Sequence, residues 1–105
     1  MYRVTTPTHV FALPIDTSEC AEIQVTYKQG SVILLKHYQD GTLPSGMTLD
    51  GNNVRVRLTQ EETKQFDSKQ TAVAQVRVLT TANDALASSK FSIAIKDVLN
   101  EDILE

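Results

Sequence analysis

Apolar and polar residues alternate along most of the chain with the two-residue period of a strand that buries one face. From Thr8 to Leu13, His9, Phe11 and Leu13 fall on one side and Val10 and Ala12 on the other, and Pro14 closes the segment. Ala21 to Lys28 is clearer still: Ile23, Val25 and Tyr27 alternate with Glu22, Gln24, Thr26 and Lys28. Gln29-Gly30-Ser31 supplies a tight turn into Val32-Ile33-Leu34-Leu35-Lys36-His37-Tyr38, so residues 21–38 read as a hairpin. The unbroken apolar run at 32–35 predicts a strand covered on both faces at that point.

Asp40-Gly41 and Pro44-Ser45-Gly46 then break the chain. Met47-Thr48-Leu49 meets Asp50-Gly51-Asn52-Asn53, a strong hairpin signal, and the chain returns through Val54 to Leu58 with Val54, Val56 and Leu58 directed to the core. Thr59-Gln60-Glu61-Glu62 has the spacing of a capping box, in which Thr59 starts a helical turn and Glu62 reaches back to its amide. That turn runs to about Phe66, the large apolar residue expected to plug the connection onto the core, and Asp67-Ser68-Lys69 ends it. Ala72 to Thr80 alternates again, and with the Ala82-Asn83-Asp84 turn and Phe91, Ile93 and Ile95 it forms another expected hairpin. Six or seven short antiparallel strands with one helical turn predict an all-β sandwich or small barrel. A length of 105 residues fits one such core, with residues 1–7 and 97–105 as terminal segments.

Composition narrows the functional classes. Net charge is −3 and the basic residues are scattered singly, so nucleic acid is not an expected partner. No apolar run approaches a bilayer span, and the first residues lack a signal-peptide pattern; no membrane association is expected, and synthesis in the bacterial cytoplasm is. Cys20 is the one cysteine, so no internal disulfide can form. His9, His37 and Cys20 do not fall at zinc-site spacings, no nucleophile elbow is present, and the four glycines lie in turns rather than in a phosphate-binding loop. Glu61-Glu62 and Glu101-Asp102 stand in segments expected to be exposed, where nothing would raise a carboxyl toward general-acid work. The expectation is no enzyme, no cofactor, no metal and no small-molecule substrate.

Two features remain as candidates for binding a protein partner or a second copy. Arg55 and Arg57 share an outward face, which Arg77 joins if the strands pair; this is either a solvated face that discourages edge pairing or a patch for an acidic partner. The acidic tail from Asp97 carries Val98, Leu99, Ile103 and Leu104 at helix-compatible spacing. It either folds back or frays, or docks these pairs on a neighbouring subunit.

Thr6-Pro7-Thr8-His9-Val10-Phe11-Ala12-Leu13-Pro14, Leu58-Thr59-Gln60-Glu61-Glu62-Thr63, Phe66, Gln75-Val76-Arg77-Val78-Leu79 and Ala85-Leu86-Ala87-Ser88 together resemble small proteins encoded in prophages of Gram-positive gut bacteria. The resemblance implies a phage-associated protein, a virion or tail component placed in the particle after assembly, or else a soluble accessory protein that binds a host or phage protein. It transfers no site residues. Locally, Gly41 to Gly51 resembles the middle hairpin of immunoglobulin-like domains of bacterial surface proteins. Those domains continue with Gly-Thr-Pro, where this chain has Val54-Arg55-Val56-Arg57-Leu58. This second resemblance implies an immunoglobulin-like β-sandwich.

Overall fold

The computed structural model describes all residues from Met1 to Glu105. Eight strands form: β1 (Thr8–Ala12), β2 (Cys20–Gln29), β3 (Val32–Gln39), β4 (Met47–Asp50), β5 (Asn53–Arg57), β6 (Ala72–Thr80), β7 (Ala85–Ala87) and β8 (Phe91–Ile93). One helix, α1 (Gln60–Lys64), and one 3-10 turn (Thr17–Glu19) complete the regular structure. The expected all-β sandwich is what the chain forms, with eight strands rather than six or seven. One sheet has the order β1-β5-β4, and the other has β3-β2-β6-β7 with β8 also paired to β6. All pairings between strands are antiparallel.

Alternation accounts for the core. Phe11, Met47, Val54 and Val56 from the smaller sheet and Ile23, Val25, Tyr27, Ala74, Val76 and Val78 from the larger one are buried in a single cluster. The Phe11 and Tyr27 rings meet across the layers edge to face, 6.5 Å apart. An irregularity between Cys20 and Glu22 shifts the pairing with β6 and lets Cys20 point inward despite its opposite parity to Ile23. Between β4 and the preceding loop, Gly46 at φ +84° brings its backbone so close to Arg57 that a Cβ would collide with the Arg57 carbonyl.

The α1 turn closes one end of the sandwich as its sequence predicts. Thr59 Oγ1 accepts from the Glu62 amide, and Glu62 Oε1 accepts from the Thr59 amide, completing the capping box. Phe66 is buried at the end of this turn, and the turn is pinned from two sides. Gln29 donates through Nε2 to the Asp67 and Gln70 carbonyls while its Oε1 accepts from the Asp67 amide; Arg3 donates to the Phe66 and Lys64 carbonyls. Thr63, fully buried, exchanges hydrogen bonds with both backbone groups of Thr5.

Near the chain's start, residues 1–3 run parallel to residues 94–96. Arg3 N donates to Lys96 O and Lys96 N donates to Met1 O, both at 2.9 Å. Residues 97–105 form no helix, contrary to their spacing. The reason is tertiary: Arg3 pairs with Asp97 and Glu101, Ser68 donates to Asp97, and Gln60 exchanges two hydrogen bonds with the backbone of Leu104, so the tail folds back against its own domain.

Candidate functional site

The strand order makes β3 an edge of the larger sheet, and the exposure of its outer face overturns the expectation that residues 32–35 are covered on both faces. Val32 and Leu34 turn inward beside Gln29 and Tyr27 and are half-buried. Ile33 and Leu35 stand on the outer face, 59% and 49% exposed. They are exposed because the other sheet packs on the inner face alone and no layer covers the outer one. Next to them on the outer face, His37 Nε2 lies 2.8 Å from Glu22 Oε1 on β2.

Beneath this edge lies a charged pair. Lys36 follows the inward parity of β3, and its side chain is 8% exposed; its Nζ sits 2.6 Å from Glu62 Oε2, on a carboxylate that is 17% exposed. Glu62 therefore does two things, accepting from the Thr59 amide with one oxygen and neutralising Lys36 with the other. Burial opposes its ionisation, but the hydrogen bonds from Lys36 and the Thr59 amide outweigh that and hold the carboxyl below the usual value. The expectation that Glu62 is simply an exposed capping residue is corrected here. Lys36 was not visible as its partner because the two are brought together only by the folding of α1 under β3.

A second polar contact crosses the core, where His9 Nδ1 and the Tyr27 hydroxyl are 2.7 Å apart. Burial pushes the Tyr27 phenol up, with the Glu62 charge adding to the shift, so Tyr27 stays protonated and can donate to a neutral His9. Burial, followed by the positively charged N-terminus, pulls the His9 imidazole below its ordinary 6.5. The unfolded chain thus takes up a proton at His9 before the folded one does, and stability is lost as pH falls below about 6.5 toward the folded value. The depressed Glu62 value adds a separate acid loss below its ordinary 4.5. Thermal midpoints measured from pH 8 to 4 are expected to be flat above 7 and to fall through 6, and His9→Gln, which keeps an acceptor for Tyr27, is expected to remove the upper part of that fall. Identical profiles for the two proteins would show that His9 does not carry it.

The sequence-derived candidates do not converge. Arg55 and Arg57 lie on the outer face of the three-stranded sheet, with Arg55 3.6 Å from Asp50, while Arg77 lies on the outer face of the other sheet beside Gln24. Since β5 and β6 belong to different layers, Arg77 does not join the other two. In the tail, Val98 and Ile103 are half-buried and Leu99 and Leu104 are exposed, so neither pair acts as an apolar unit. Arg3, which organises this tail, carried no sequence signal beyond its charge.

The largest hollow, about 600 Å³, is open and sits on the outer face of the larger sheet among Thr26, Lys28, Gln75 and Lys90; no acid, histidine or cysteine lines it. No helix is long and apolar enough to cross a membrane. No family model matches the chain, and no curated protein matches its sequence.

Proposed function

We propose that the chain is a non-catalytic protein-interaction module, an immunoglobulin-like sandwich that serves as a structural, tail-associated component of a phage particle. The observation that carries the interaction reading is the β3 edge, where the uncovered Ile33 and Leu35 stand beside a row of free backbone groups. An open edge of this kind is a template for adding a strand from another chain. The immunoglobulin-like part is supported by strand order. With β1 taken as strand B, the orders β1-β5-β4 and β3-β2-β6-β7 correspond to B-E-D and C′-C-F-G. The phage setting rests on the resemblance of the 6–14, 58–66, 75–79 and 85–88 segments to prophage-encoded proteins.

Mass spectrometry of particles purified from an induced lysogen tests the setting. The chain is expected at structural stoichiometry, retained through a density gradient. Absence from the particles, with a host or phage protein copurifying from the lysate instead, would move the module to the alternative role of a soluble accessory protein.

A further inference from the structure

The open edge has a defined extent, and that extent points to its occupant. Asp40 N donates to Ala21 O on the β2 side, and Val32 closes a two-residue turn opposite Gln29. By the antiparallel pattern, even-numbered residues of β3 exchange hydrogen bonds with β2 and odd-numbered ones turn their N–H and C=O groups outward. Gln39 is already occupied, since its amide donates to Thr42 O at 3.3 Å and its carbonyl accepts from Thr42 N at 2.9 Å. The free stretch is therefore Ile33, Leu35 and His37, with Leu35 at its centre.

Proteins commonly guard such an edge with a lysine, an unpaired inward charge, a proline or a bulge. Here the one charge on β3 that points inward, Lys36, is already neutralised by Glu62 of its own chain, the strand has no proline, and its ladder with β2 is regular throughout. Charge on the outer face is graded along the hairpin. Lys28 stands beside Ile33 at the turn end, whereas Glu22 stands beside Gln39 and contacts His37 at the other. An antiparallel copy sets the Lys28 end of one chain next to the Glu22 end of the other, whereas a parallel copy would set like against like.

Resting on the interaction-module reading above, we infer that the partner at this edge is a second copy of the chain, paired antiparallel through β3 about a two-fold axis at Leu35. Leu35 then faces Leu35 of the second copy, and Ile33 faces the second copy's His37. The pairing makes about six backbone hydrogen bonds and joins two five-stranded sheets into one. Because the contact is isologous it closes on itself as a dimer and does not propagate.

Sedimentation equilibrium over a concentration series tests this, with the wild type expected to dimerise reversibly. Leu35→Lys places two like charges opposite each other at the axis and is expected to raise the dissociation constant about tenfold or more. Its far-UV spectrum and thermal midpoint, read under conditions where both proteins are monomeric, should match the wild type, because Leu35 is an exposed position. Val10→Lys, at an exposed position on the other sheet, should leave dimerisation intact. Leu35→Cys should cross-link to itself on mild oxidation, since Cα atoms of a hydrogen-bonded antiparallel pair lie about 5.5 Å apart, within disulfide range. A dimer that Leu35→Lys leaves intact, or that Val10→Lys weakens equally, overturns the assignment. A monomeric wild type that still co-sediments with purified particles also overturns self-pairing but leaves the interaction module standing. A monomer that associates with nothing overturns both.

Discussion

Glu62→Gln is expected to destabilise the fold by about 3 kcal/mol, and Glu62→Ala by about 4, because each strands the Lys36 ammonium in a site where it is only 8% exposed. The two substitutions separate the two roles of the carboxylate. Glutamine can still occupy the third position of the capping box, so its cost reports the lost charge; alanine loses the cap as well, worth about 1 kcal/mol. For a domain of this size the glutamine variant should melt roughly 12 °C or more below the wild type. Combining Glu62→Gln with Lys36→Met removes both charges and should restore much of the loss, since a buried ion pair contributes little over an apolar replacement of similar volume. Urea titrations of the wild type, Glu62→Gln, Lys36→Met and the double variant give the coupling directly. A Glu62→Gln variant within 1 kcal/mol of the wild type would mean that water reaches Lys36 readily and that the pair is not a buried one.

Phe66→Ala should cost about as much, roughly 3–5 kcal/mol, for a different reason. The ring is 1% exposed and fills the space between the sheets beneath the connection from β5 to β6. The backbone around it is tied to Arg3 and Gln29, so the turn cannot collapse into the space vacated without breaking those hydrogen bonds. Phe66→Leu retains most of the buried volume and should cost only about 1–1.5 kcal/mol. Equal losses for alanine and leucine would show that ring shape, rather than the cavity, governs this site.

Much of the architecture is legible in the sequence wherever the signal is local. Ile23-x-Val25-x-Tyr27 and Ala74-x-Val76-x-Val78 identify inward faces through a strict period of two, and Thr59 with Glu62 identifies a cap through spacing alone. Position within a sheet is not local. The run Val32 to Leu35 reads as doubly covered because apolarity is a property of residues, whereas cover depends on which layers the fold stacks on each face. The polar stretch from Gln39 to Ser45, by carrying the chain from β3 over to the other sheet, was the available hint that β3 ends its own. Arg77 could be assigned to an outward face but not to a particular layer, and Lys36 could not be matched with Glu62 across 26 positions of sequence by any periodicity. The tail's spacing is compatible with a helix, but Arg3 and Gln60, which fold it back on its own domain, lie far from it along the chain and leave no local signal.

The parallel contact between residues 1–3 and 94–96 bears on how the domain would carry force. Load entering at one end of the chain and leaving at the other pulls these two segments in opposite directions along their common axis. The hydrogen bonds joining Arg3 and Met1 to Lys96 are then strained together, in shear, instead of opening one after another as they would in a peeled hairpin. Arg3 also grips the Phe66 and Lys64 carbonyls, so tension on the first residues is passed to the buried end of the sandwich before the sheets can part.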